Sequence, residues 1–126
     1  MSRYTYLGPA GTFTEAALTP LLKSGDSALP AANVTAALES VRNGGSDYAL
    51  VPIENSVEGV VARTLDELAV GEPLMIIGEQ VLQVSFALMV KPGVTLRDIK
   101  RVATIHMLRR NVVNSSQRTF RMQKLS

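Results

Sequence analysis

The sequence predicts an α/β fold, a largely parallel sheet with helices packed on it. Three observations carry this expectation. Short β-prone runs alternate along the chain with stretches of helical periodicity. Residues 48–53, YALVPI, form an apolar run with no polar alternation, the pattern of a strand covered on both faces. Glycine-bearing loops stand between strands and the helices that follow, where sheets of this class bind ligands.

Tyr4, Tyr6 and Leu7 predict a first strand that stops at Gly8-Pro9, and residues 15–23 predict the helix after it, capped by Thr12 or Thr14. Ala36, Ala37, Leu38 and Val41 share one helical face, so residues 36–42 predict a second helix, ended by Gly44-Gly45. Residues 48–53 follow as a central strand, with Pro52 near its end. Thr64 is a candidate cap for a short helix over residues 65–70. Residues 75–77 and 79–90 predict two strands or one bent strand, stopped by Pro92-Gly93. Residues 96–100 predict a helix of one or two turns, and residues 101–103 the start of another strand. No internal repeat or low-complexity block interrupts this order.

The chain has 126 residues, the size of one ordinary domain, with 46% hydrophobic and 19% charged residues, which excludes a disordered or fibrous class. Its longest apolar stretch, residues 81–90, is broken by Gln83 and Ser85 and falls well short of the roughly 20 residues a membrane helix requires. No apolar segment precedes Gly8, so no secretory signal is expected. Without cysteine there is no disulfide framework and no thiolate metal site, which is compatible with a cytoplasmic location. The only histidine, His106, has neither a cysteine nor a nearby carboxylate with which to form a triad or a metal site.

Charge is divided unevenly. Residues 1–103 hold 8 Lys+Arg and 11 Asp+Glu, a net −3, whereas residues 104–126 hold 5 Lys+Arg and no acid, a net +5. The basic residues of the tail are scattered, with only Arg109 and Arg110 adjacent, so a nucleic-acid surface is not expected.

Two loops invite a chemical reading. In residues 8–14, GPAGTFT, the glycines allow close backbone approach, and N–H groups with the Thr12 and Thr14 hydroxyls can meet an anion at a helix start. A plain turn with an N-cap explains the same residues equally well. The loop lacks the Gly-Lys-Ser/Thr of a P-loop and the spacing of a dinucleotide fingerprint. In residues 54–59, ENSVEG, a carboxylate, an amide and a hydroxyl follow one another directly after the apolar strand, a set suited to an oxygen-rich ligand or to a solvated turn. Glu79 reads as an edge charge or a salt-bridge partner.

The motifs YLGPAGTFTEAAL and VPIENSVEGVVARTLDEL, in this order and spacing, resemble the two signatures that open prephenate dehydratases. The segments IIGEQVLQVSFALMVKPG and LRDIKRVAT are also similar to that family, most of all to its actinobacterial members, so that the resemblance spans residues 4–104. It implies a catalytic domain like a type 2 periplasmic binding protein, with two α/β lobes and a cleft between them, of which residues 1–104 supply the first. It further implies conversion of prephenate to phenylpyruvate with loss of water and carbon dioxide, in phenylalanine biosynthesis, without organic cofactor or metal. The resemblance places Glu54, Asn55 and Ser56 on the substrate, and Thr12, Phe13 and Thr14 along the cleft.

Beyond Thr104 the resemblance stops. The family continues with a His-Pro-His type motif, a Gln-Cys pair and a second lobe whose Thr-Arg-Phe motif supplies the acid, and residues 105–126 contain none of these; Thr119-Phe120 lacks the intervening arginine. Residues 105–126 are therefore read as a non-homologous tail translated out of frame. Restoring one base after the Thr104 codon permits the reading THPHAAAQCREFLAAHLPDAEA, which regains the family motifs and accounts for the acid-free composition of the tail. The isolated chain is expected to be inactive, and, with apolar surface meant for a second lobe, to self-associate.

Overall fold

The computed structural model describes residues 1–55 and 59–104, together with the backbone of residues 120–125. Expectations for Ser56, for His106 and for most of the basic tail fall outside the described residues.

The chain builds a parallel three-stranded sheet. β1 (Arg3–Leu7) lies at its centre, flanked by β2 (Ser27–Ala31) and β3 (Tyr48–Leu50), with both pairings parallel. Side chains alternate across this sheet and each face receives a helix. Tyr6 and Leu50 point to one face, where Ala17 and Leu18 of α1 (Phe13–Leu18) close a cluster with Tyr4, Leu22 and Ala28. Leu7, Ala31, Ala49 and Val51 serve the other, packed under Val34, Ala37 and Leu38 of α2 (Val34–Arg42). This is the layered α/β arrangement the alternation of elements predicts.

Several details differ from the expectation, each for a physical reason. β2 was not foreseen, because Pro30 interrupts a weakly β-prone run; it pairs on one side only, so a missing N–H is tolerated at this edge. The first helix ends at Leu18 rather than Lys23 and tightens into a 3-10 turn at Thr19–Leu21, where Pro20 removes a donor. The run YALVPI is neither one strand nor central. It divides into edge strand β3 and, after Val51, β4 (Pro52–Asn55), which belongs to a second sheet with β5 (Gly59–Val60), β6 (Gln80–Val84) and β7 (Phe120–Leu125) in the order β5-β4-β7-β6. The apolar run is instead explained by burial of Leu50, Val51 and Pro52 at the crossing from one sheet to the other.

Thr64 does not cap α3 (Ala62–Val70), whose N-cap is Val61. It sits inside the helix, fully buried, and its hydroxyl donates to the Pro52 carbonyl at 2.6 Å. Residues 75–77 and 101–103 form no strand, and β6 covers only part of residues 79–90. Leu96–Asp98 is a single 3-10 turn closed by a reciprocal Thr95–Asp98 capping box. No helix among the described residues is long and apolar enough to cross a membrane.

α2 and α3 are clamped by Arg42. Its guanidinium, with only 5% of the side chain exposed, pairs with Glu39 at 2.6 Å, reaches Glu67 at 3.5 Å and donates to the Glu67 and Glu72 carbonyls. Glu67 also accepts from Thr35 at 2.7 Å and pairs with Arg63 at 2.8 Å. The Thr35 hydroxyl, then Arg63 and Arg42, hold the Glu67 carboxyl below the usual carboxylate range.

Candidate functional site

The parallel register of β1 and β3 brings the two motif loops to one edge of the sheet. Tyr6 is paired with Leu50, so the chain leaves β1 toward Gly8 at the same level at which it leaves β3 toward Pro52. Residues 8–14 and 52–55 thus both lie beyond the carboxyl ends of neighbouring parallel strands, the place where open α/β sheets offer ligands their loops.

The first loop is fixed by β1, β2 and α1. Gly8 N–H donates to the Ala31 carbonyl at 2.9 Å, and a side chain at Gly8 would come within 2.7 Å of the Pro30 Cβ, so this close approach to β2 requires glycine. The Gly8-Pro9 peptide is cis. Gly11 adopts a φ of +82°, and its N–H donates to the Glu15 carboxylate. The Thr12 hydroxyl donates to the Leu7 carbonyl at 3.3 Å, and Thr14 is buried. Of Thr12, Phe13 and Thr14, the side chain most open to solvent is therefore the Phe13 ring, with the residue 40% exposed. The ring of Phe86, beyond the end of β6, meets Phe13 edge-on with centroids 5.7 Å apart.

The second loop starts from β4, which is held by α3. Besides the Thr64 bond to Pro52, Val61 N–H donates to the Ile53 carbonyl at 2.9 Å, which closes the segment between β4 and the helix. Strand geometry separates the consecutive polar residues. Asn55 is buried and Glu54 is exposed, because neighbours on a strand face opposite ways. Glu54 pairs with Val60 and Asn55 with Gly59, whose φ of +83° turns the chain back. Ser56 lies outside the described residues. Among the described residues no group of three or more His, Asp or Glu is placed to hold a metal ion.

Two contributors escaped the sequence reading. Phe86 is hidden in an apolar run that reads as strand, and only the fold places it beside Phe13. Glu15 had a legible signal, since it stands three residues after the N-cap Thr12, where a carboxylate can reach back to an N–H of the preceding loop.

The comparisons with known proteins identify the family. The family model described as prephenate dehydratase matches residues 4–121. This chain belongs to the prephenate dehydratase family. A prephenate dehydratase of Mycobacterium avium is 46% identical over 114 residues, covering 83% of this chain and 36% of the relative. One from Mycobacterium leprae is 48% identical over 112 residues, covering 82% and 35%. The chain therefore spans about a third of the length of the curated relatives it matches.

Solved structures give the same family. A crystal structure of prephenate dehydratase from Arthrobacter aurescens in complex with L-Phe is similar with a TM-score of 0.69 and 50% identity, covering 86% of this chain and 36% of that one. The enzyme from Streptococcus mutans is similar with a TM-score of 0.51 and 30% identity, covering 68% and 40%. The α/β lobe expected from the motifs is thus the fold of this chain, and the family match extends past residue 104 into the segment read as a tail.

Proposed function

We propose that this chain supplies the first-lobe half of a prephenate dehydratase site, in which prephenate becomes phenylpyruvate with loss of water and carbon dioxide. The observation that supports this most is the placement of both family motifs at one sheet edge, through the Tyr6–Leu50 register. The reaction breaks the bond from the ring to its carboxylate, and the released electron pair completes the aromatic ring as the ring hydroxyl departs with a proton. Such a step asks for dipoles that hold carboxylates without a tight ion pair, together with an acid near the hydroxyl. The Asn55 amide on β4 suits the first task, with Glu54 and Ser56 beside it in sequence, while Thr12, Phe13 and Thr14 furnish the opposing loop. No catalytic acid is assigned to this chain, and no cofactor or metal is invoked.

Residues 105–126 are an out-of-frame tail, and codons across Thr104 that cannot yield the restored reading would remove that proposal. The chain works in the cytoplasm, as a biosynthetic enzyme would. It self-associates through exposed apolar residues such as Met75, Ile77 and Met89, each 70% or more exposed; a monodisperse monomer at every concentration in sedimentation would contradict this.

An alternative is a small-molecule binding lobe without catalysis. Incubation with prephenate separates the cases. The half-site reading expects only weak binding, with little or no phenylpyruvate formed, a tight complex without turnover would favour the alternative, and turnover at a rate normal for an enzyme would refute inactivity of the lone chain.

A further inference from the structure

Glu15 belongs to neither group of expected site residues, yet it organises one of the two loops. It stands in the first turn of α1, where its Oε1 accepts the Tyr6 hydroxyl at 2.9 Å and its Oε2 accepts the Gly11 N–H. Tyr6 is 2% exposed on the central strand, so the carboxylate ties the turn of the loop to the middle of the sheet. Gly11 holds its left-handed φ of +82° with that N–H aimed inward. The consequence is chemical as well as mechanical. The N–H that could have met a ligand anion is taken by the chain's own carboxylate, and a second carboxylate brought there would meet like charge. Beside the small exposed residues Pro9, Ala10 and Gly11, the large side chain that the loop leaves outward is the Phe13 ring, which meets Phe86.

We propose that Glu15 is the positioning residue of the first loop, acting through Gly11 and Tyr6 to present Phe13 to the ring of the substrate and leaving the substrate carboxylates to the Asn55 side of the site. The statement about substrate rests on the prephenate dehydratase reading; the positioning of the loop does not. The lowered Glu15 carboxyl pKa, caused first by the Gly11 N–H and then by the Tyr6 hydroxyl, accords with this geometry.

The test is amide hydrogen exchange of the whole chain, read residue by residue by NMR, with and without prephenate. Glu15→Ala should raise exchange at Gly11 to Phe13 by roughly tenfold, while α2, with Leu38 at its centre, stays as protected as before. The same variant should bind prephenate roughly fivefold more weakly, in keeping with the loss of about one hydrogen bond. Glu15→Gln should restore both, because its carbonyl can accept from Gly11 and its amide can donate to the Tyr6 oxygen. Unchanged exchange at Gly11 in Glu15→Ala would overturn the proposal. So would exchange that rises equally through α2, since Glu15 would then be a general strut of the fold, or failure of the Gln variant to rescue. If wild-type chain shows the Gly11 pattern but prephenate shifts no amide, the positioning role stands and the functional reading is what fails.

Discussion

The two motif loops leave the same sheet edge and are held differently. Residues 8–14 are tied at several of their own positions, Gly8 to β2, Thr12 to β1 and Gly11 to Glu15 of α1. The second is held where it starts, on β4, whose Pro52 and Ile53 carbonyls accept from Thr64 and Val61 of the α3 region. The first loop thus spends its polar groups on bonds of its own, whereas β4 is held through backbone carbonyls. Under the proposed function, this difference divides the tasks of seating a ring and holding carboxylates.

The largest way to break the contrast is to remove the ground under the first loop. Leu18→Ala empties a fully buried position between α1 and Tyr6, with an expected cost of about 2–5 kcal/mol in urea unfolding, and it should loosen the first loop before the second. Thr64→Val keeps the volume but leaves the Pro52 carbonyl without its buried donor, at about 1–3 kcal/mol. Hydrogen exchange should then rise around residues 53–55 and 59–61 while Gly11 is unaffected, the mirror image of the Glu15 variant. Gly11→Ala forces a side chain into a positive φ and should cost about 1 kcal/mol, confined to the first loop.

How much of this was legible in the sequence depends on whether the information was local. The first strand, the presence of both flanking helices and the edge that carries the two motifs follow from periodicity, from the Gly44-Gly45 stop and from the motif positions. Thr64 looked like a cap because threonine before an apolar run usually is one, and only the packing of α3 on β4 reveals it as a core donor. β2 was hidden by Pro30, which a central strand would reject and an edge strand accepts. YALVPI misled because burial at a crossing between two sheets reads like burial inside one. Around the candidate site the first loop was legible, whereas Glu54 and Asn55 read as a loop and lie on β4, and side-chain directions were not legible. Strand alternation separates Glu54 from Asn55, and the Phe13–Phe86 pair joins residues far apart in sequence.

Acid offers a gentler probe of the same contrast. Glu15, Asp26, Asp47 and Glu67 all have lowered carboxyl pKa values, through N–H, hydroxyl or guanidinium donors. Their contribution to stability is complete above the ordinary carboxylate range and is lost as pH falls through the lowered values. The Gly11 amide resonance should follow the Glu15 titration below that range. The Val61 amide, which donates to a backbone carbonyl, should not.

The smallest effect, and the finest, concerns Phe86. Phe86→Leu keeps an apolar neighbour for Phe13 but removes the edge-to-face contact, at about 0.5–1.5 kcal/mol. Prephenate binding should weaken slightly, with Asn55 shifts unchanged.

That both loops meet one substrate is tested by mapping prephenate on the chain by amide shift perturbation. Saturable shifts are expected at Gly11 to Phe13 and at Glu54 to Asn55 that share one dissociation constant, on the order of 1 mM or tighter, with Asn55→Ala weakening both sets together. Shifts confined to one loop, two unequal constants, or none at all would contradict it.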